Sequence, residues 1–342
     1  MAQVLKKPLD YSFGWCKRGT VFHNRPLSDV REFLEKRRVS AYDVHAADLE
    51  VVMADGGALL RRRSAHEKGL PIRQAFFDKL MRWHKFPLNT LYRMSSDELL
   101  PLMNVLLRMI DKDVVVYVED GEALTIVSKN YARIADDELL DKAARLGIEK
   151  ITRTDHFMWI MSSEITQVEV QKGDLVGIAT NIVNSETGFR ALTIGWYLLR
   201  LVCSNGAIAA FGGHSSKFYH QKTTAVQSQI DAALNSLDKA TVNPKEMFTL
   251  LSAALTKPLP PRYEVDRTLT PLLGFSDTRR LIDPPYNNKT AKLYDLFNII
   301  TLEAQKRAPS IQLAMEEVAG SWLWLAGGKG NHGPSYEALD DN

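Results

Sequence analysis

The sequence predicts an α+β fold, an antiparallel β-meander with helices packed against it. Three observations carry this. Residues 150–185 hold three β-patterned runs separated by short turns. Helix-patterned segments flank these runs on both sides. No glycine-rich loop follows a strand in a strand–helix–strand series, as a parallel nucleotide-binding sheet would require. The 342 residues, 45% hydrophobic and 25% charged, are enough to bury a sizeable core and read as a soluble globular chain. A net charge of +2 identifies no partner, so any nucleic-acid argument rests on local charge. Two cysteines, Cys16 and Cys203, are too few for a disulfide framework and fit a reducing compartment. With no secretory leader and no run near the roughly 20 apolar residues of a membrane span, a cytoplasmic location without a membrane partner is expected.

Residues 1–94 form an N-terminal basic region. Its first 60 residues mix short apolar stretches with Gly and Pro, compatible with two short strands and a helix. From Arg61 to Arg93 there are nine Lys or Arg against two acids, Glu67 and Asp78. Phe76, Leu80, Trp83 and Phe77, Met81, His84 recur at helical spacing there, with Lys79, Arg82 and Lys85 on the other side. This is a basic amphipathic helix ending near Pro87, its aromatics facing a core and its cations free for phosphate.

Residues 95–256 form the central α+β domain. Ser95 and Glu98 stand in capping-box register before an apolar face of Leu99, Leu102, Met103, Leu106, Leu107 and Ile110, although Pro101 is expected to delay the helix start. DVVVYV, the turn EDG and EALTIVS read as a hairpin. ADDELLDKAARLG reads as a short helix, with Asp136 or Asp137 at its start and Gly147 past its end. KITRTDHFMWIMS, EITQVEVQ and LVGIATNIVNS are the three meander strands. FRALTIGWYLLRLVCSNGAIAAF, too apolar for periodicity to decide, reads as a strand passing into a helix. Helices are expected near 224–239 and 244–256, then the linker KPLPPR at 257–262. A C-terminal helical region at 263–326 and a flexible tail at 327–342 complete the chain.

Candidate chemistry is sparse. Asp283-Pro284-Pro285-Tyr286 has the form with which amino-methyltransferases hold an exocyclic base nitrogen, but without the cofactor loop an ordinary loop explains it more simply. His214 and His220, six apart with Cys203 eleven before the first, miss zinc-ligand spacing, so no metal site is assigned. Ser204 and Cys203 lack a recognisable base, and C-S-N-G reads as a turn. GGKG at 327–330 lacks phosphate-loop spacing, and Asp136, Asp137 and Glu138 are explained by helix capping. No cofactor is expected.

Several segments in order carry a resemblance: ALTIVSKNYARIADDELLDKAARLG, GDLVGIATNIVNSETGFRALTIGWYLLRLVCSNGAIA, KFYHQKTTAVQSQI and KLYDLFNIITLEAQ. Over roughly residues 120–306 the chain resembles phage- and plasmid-like proteins built around domain of unknown function 932. The resemblance singles out Tyr131, Asn184, Ser185, Gly188, Arg200, Cys203, Asn205, Gly206, Asn298 and Thr301. It departs from the family pattern at His220, where a His-Thr pair is usual. The helix, meander and following helix are also similar to the β-β-β-α core of ring-forming single-strand annealing proteins.

These readings imply a DNA-binding protein of a mobile element that holds single-stranded DNA in a basic groove and assembles as a homo-oligomer. The phosphate contacts expected are Arg61, Arg62, Arg63, Arg73, Lys79, Arg82, Lys85, Arg190 and Arg200. Two other readings stand beside this one: a non-catalytic interaction or assembly protein, favoured if those cations scatter, and a nucleic-acid-modifying enzyme using Asp283 to Tyr286.

Overall fold

A computed structural model describes residues 16–54, 57–64, 68–86, 91, 94–200, 205–209, 216–222, 226–239 and 244–326. The N-terminal part runs β1 (Phe22–Arg25), α1 (Leu27–Lys36), β2 (Val39–His45), β3 (Leu49–Ala54), β4 (Gly57–Arg62), β5 (Leu70–Pro71) and α2 (Gln74–Trp83). It is richer in strands than the sequence pattern suggested, and the basic helix is confined to α2, because 57–62 and 70–71 pair as strands. Then come α3 (Ser96–Met109), β6 (Asp113–Glu119) and β7 (Glu122–Ser128). Asp120 and Gly121 both take positive φ, the backbone that a tight two-residue hairpin turn demands. The capping box of Ser95 and Glu98 is formed, and α3 starts directly behind it with Pro101 inside. The one bond that Pro101 cannot donate falls on an exposed position, so the helix tolerates it.

Two antiparallel three-stranded sheets result, β2-β6-β7 and β3-β4-β5. Val51 and Leu60 from the second, Val116 and Ile126 from the first, and Phe76, Phe77, Leu80, Met103 and Leu106 from α2 and α3 form one apolar cluster. The aromatic stripe of α2 is therefore core, as its spacing required.

The second part begins with α4 (Asp136–Ala143), closed by a 3-10 turn and by Gly147 at φ 66°. A seven-stranded antiparallel sheet follows, in which Phe22–Arg25, Ile148–Arg153, Met158–Gln171, Asp174–Asn184, Leu192–Arg200 and Asn205–Ala209 lie side by side in that order, with Ser216–Phe218 also pairing to Leu192–Arg200. Its strands are β8 (Ile148–Arg153), β9 (Met158–Gln171), β10 (Asp174–Asn184), β11 (Leu192–Arg200), β12 (Asn205–Ala209) and β13 (Ser216–Phe218). The meander is present, but its first turn is Thr154–Phe157, and 158–171 is one continuous strand. Thr154 Oγ1 accepts from the His156 and Phe157 amides and fixes that turn.

After β11 the chain does not become a helix. Arg200 pairs with Asn205 and β12 returns along β11. The topology thus departs from β-β-β-α: two further strands precede the next helix. Periodicity gave no warning because β11 is covered on both faces, which erases the alternation of a half-buried strand.

The remaining helices are α5 (Val226–Lys239), α6 (Pro244–Thr256), α7 (Arg262–Leu273), α8 (Phe275–Asn287), α9 (Leu293–Ala304) and α10 (Pro309–Ala326). Met158, Ile160, Ile178, Ile182, Ile194 and Trp196 from one sheet face join the largest apolar cluster, with residues of α1 and α4 to α10. Trp159, Met161, Ala179, Val183 and Tyr197, pointing the other way, gather with Leu313 of α10. Among the described residues no helix is long and apolar enough to cross a membrane.

Candidate functional site

The most heavily functionalised place is the turn between β10 and β11, Asn184-Ser185-Glu186-Thr187-Gly188. Gly188 has φ +76°, and a Cβ there would come within 3.0 Å of Lys79 Nζ and 3.2 Å of a Tyr131 ring carbon, so glycine is required twice over. Asn184 Nδ2 donates to Ile134 O at 2.9 Å and Asp136 Oδ1 at 3.0 Å. Ser185 Oγ donates to His156 O at 2.6 Å and accepts from the Phe189 amide. Tyr131 Oη donates to Ser185 O at 2.7 Å, while its ring stacks on His220 at 5.0 Å. Tyr131, which the resemblance singled out apart from Asn184, Ser185 and Gly188, therefore braces their turn.

That turn presents Glu186 to a buried knot of opposite charges. Glu186 accepts from Arg37 at 2.5 and 2.7 Å, from Arg133 at 2.8 Å and from the Asp136 amide at 2.5 Å. Glu119, at the end of β6, meets three guanidiniums: Arg73 at 2.8 Å, Arg37 at 3.2 Å and Arg153 at 3.3 Å. Arg153 Nε also donates to Asp136, and Arg73 also holds Asp155 and Glu122. The side chains of Arg37, Arg153, Glu119, Glu186 and Asp136 are all buried.

The electrostatics split the carboxyls. Burial pushes Glu186 up, but hydrogen bonding and attraction from Arg37, with Arg133 and Arg153, outweigh it and hold it at about 2. Burial and the adjacent Glu186 charge push Asp136 up to about 7, against the pull of Arg153 and Arg37. Burial likewise opposes ionisation of Glu119, yet Arg153, Arg73 and Arg37 bring it below the usual range. The small space bounded by Asp136, Arg153, Asp155 and Glu186 is packed shut, and these groups neutralise one another instead of facing a substrate. Because Arg73 and Glu119 belong to the N-terminal part and Arg153, Asp155 and Glu186 to the strands and turns of the large sheet, the knot is a joint between the N-terminal apolar cluster and the largest one.

Among the described side chains, most of the expected phosphate contacts are buried or engaged within the molecule. Arg73 is buried in the joint, and Lys79 is buried with Nζ on Gly188 O at 2.7 Å. Both correct the expectation that the cations of this segment are free for phosphate, since Arg73 at the N-cap of α2 and Lys79 within it point into the other half of the molecule. Arg82 is exposed, its guanidinium 4.8 Å from the Phe189 ring centroid. Lys85 is exposed beyond the helix. Arg61 pairs with Glu50 at 2.8 Å, Arg62 lies over Tyr42, and Arg63 donates to Ala47 O. Arg190 forms a two-bond pair with Glu317 of α10. Arg200 lies in β11, opposite Asn205 of β12, next to Gly206. The side chains of Arg200 and Asn205, with Cys203, Ser204, His214 and the 327–342 tail, lie outside what is described.

Asp283-Pro284-Pro285-Tyr286 is not a loop: it forms the last turn of α8. Asp283 pairs with Arg262, and Tyr286 Oη donates to Pro260 O at 2.5 Å, so the motif clamps α8 to the segment entering α7. Thr301 is buried and donates to Phe297 O within α9, and Asn298 sits one turn earlier on that helix. Among the described residues no three His, Cys, Asp or Glu side chains gather as metal ligands.

A second buried polar group escaped the sequence reading. Glu316 of α10 accepts from Gln305 at 2.8 Å and Gln312 at 2.9 Å. The Tyr197 hydroxyl faces it from the sheet, and burial pushes its carboxyl up to about 8. Only the i, i+4 spacing of Gln312 and Glu316 on an apolar helix hinted at it.

The family described as Domain of unknown function (DUF932) matches residues 123–310. That span contains the joint's turn and the sheet from β8 to β13. No curated protein and no solved structure matches the chain.

Proposed function

Since the chain belongs to the DUF932 family, matched over more than half its length, we propose that it is a non-catalytic binding protein that docks other proteins on its C-terminal helices. The resemblance supports a phage or plasmid element as the setting. One observation carries the reading: the outward face of α7. Tyr263, Arg267 and Pro271 stand exposed at four-residue steps, while Val265, Leu269 and Leu272 bury the opposite face. Just past Gly274, Phe275 is open, with the Arg279 guanidinium 4.8 Å from its ring centroid. Tyr263 is 68% and Phe275 64% exposed, a large apolar outlay that folding alone does not use.

Aromatic and arginine side chains are the residue types that dominate binding hot spots. Here they are held in place beforehand. Asp266 pairs with Arg262 and Arg279, and Arg262 also pairs with Asp283, so α7 and α8 are cross-linked by charges. A surface already ordered loses less entropy on docking.

A second reading, single-stranded DNA binding, is favoured by Arg61, Arg62 and Arg63, three consecutive exposed arginines leading out of β4. Two experiments separate the readings. Quantitative affinity capture from the native host compares wild type with a Tyr263→Ala, Phe275→Ala double variant, and a salt titration with labelled single-stranded DNA compares wild type with Arg61, Arg62 and Arg63 all changed to Gln. Protein docking predicts specific partners lost with the first variant and kept with the second. Partners indifferent to Tyr263 and Phe275, together with a salt-dependent DNA affinity lost in the arginine variant, would reverse the order.

A further inference from the structure

We infer that α3 is a self-association surface, through which two copies of this chain pair antiparallel about a two-fold axis. The inner face of α3 is spent on the N-terminal core through Leu99, Met103, Leu106 and Leu107. The outer face is exposed along one stripe: Asp97 and Glu98, then Pro101, Val105, and finally Arg108 and Met109. Val105 is 42% and Met109 63% exposed, one turn apart on the same side. Acid, apolar, apolar, base is a self-complementary order. When the helix meets a second copy of itself running the opposite way, each acidic start lies by the other's basic end, and Val105 of each copy meets Pro101 of the other on either side of the axis. A two-fold contact of this kind uses the same patch on both partners and closes on itself.

The neighbouring strand widens the patch. The Ala46 amide donates to Lys112 O at 3.1 Å, beyond the end of α3, and Asn104 in its middle bonds Val51. β3 therefore runs antiparallel to α3, which carries Met53, 40% exposed, toward the first turns of the helix. Beyond Arg108, Lys112 lies over the Trp83 ring at 5.0 Å beside exposed Asp111, so Arg108 supplies the cation of that end. The edge of β3 is not the docking element. Asn104 Oδ1 accepts from the Val51 amide at 2.8 Å and Asn104 Nδ2 donates to Val51 O at 2.8 Å, so a side chain fills the ladder positions that another strand would take.

The pairing involves no residue of α7 or α8, so it stands or falls apart from the docking reading above. The test is sedimentation equilibrium of the full chain with two charge reversals, Arg108→Glu and Asp97→Arg. Both positions are exposed, and unchanged circular dichroism melts confirm that the variants fold. Wild type is expected to dimerise, and each variant alone to dimerise at least about tenfold more weakly, because like charges then face each other at both ends. An equimolar mixture of the two variants is expected to recover the dimer, since every end then meets its opposite. A wild-type monomer at all concentrations, reversals that leave the dimer intact, or a mixture that fails to recover it overturns the inference.

Discussion

Replacing Glu316 by Gln tests whether a neutral carboxyl is built into the seam between α10 and the sheet. Burial is the leading influence on this group, and it raises the carboxyl from the ordinary 4.5 to about 8. A carboxyl favoured in its protonated form by the fold contributes its full stability below pH 4.5 and loses it as the pH climbs toward 8. At about 1.4 kcal/mol for each pH unit, the loss across that window is on the order of 5 kcal/mol. Glutamine keeps the oxygen that accepts from Gln305 and Gln312 and places an amide where the acid proton was, but it cannot ionise. Urea unfolding followed by fluorescence of buried Trp159 and Trp196, from pH 5 to pH 9, reads the effect. Near pH 5 the two proteins should differ by less than about 1 kcal/mol, and near pH 8.5 the Glu316→Gln variant should be more stable by about 3–5 kcal/mol. A gap that stays constant over this range, or that favours the wild type as the pH rises, refutes the reasoning.

Three further outcomes are expected. Glu186→Gln leaves Arg37 and Arg133 short of a charged partner in a buried site and should cost about 3–5 kcal/mol at neutral pH. Because Glu186 is held near 2, that penalty should shrink in acid unfolding as the pH falls from 4.5 toward 2. Gly188→Ala combines positive φ with the approach of Lys79 and Tyr131 and should lower stability by about 1–3 kcal/mol in urea. Asn104→Ala removes both bonds to Val51 and should accelerate hydrogen exchange at the Val51 amide by about tenfold or more, with a stability loss of about 1–3 kcal/mol.

What the sequence disclosed was local chemistry. Asp120-Gly121 announced a hairpin, Ser95 with Glu98 a helix start, Gly147 a helix end, and the spacing of Phe76, Phe77 and Leu80 a core face, because each signal lies within a few residues. The turn residues Asn184, Ser185 and Gly188 were visible only as a resemblance, and their purpose emerged when Tyr131 and Asp136 were brought beside them. The charge joint was hidden for a related reason. Arg37 and Glu186 are 149 positions apart and Arg73 and Glu119 are 46, so nothing local distinguishes these arginines from solvated ones. Helices α7 and α8 were blurred by Pro271, Pro284 and Pro285, each of which forfeits an amide bond inside its helix and so reads as a breaker. The β11 to β12 return was concealed by uniform apolarity.

The meeting of three guanidiniums on Glu119 has a consequence for how the whole molecule melts. Each arginine belongs to a different stretch of chain, so loosening either hydrophobic half would leave buried charges of the other without partners, Arg37 and Arg153 without Glu119 and Arg73 without Asp155. Neither half has a comfortable intermediate to rest in. Heating should therefore produce a single calorimetric peak, with the chain disassembling as one cooperative unit despite its separate greasy centres.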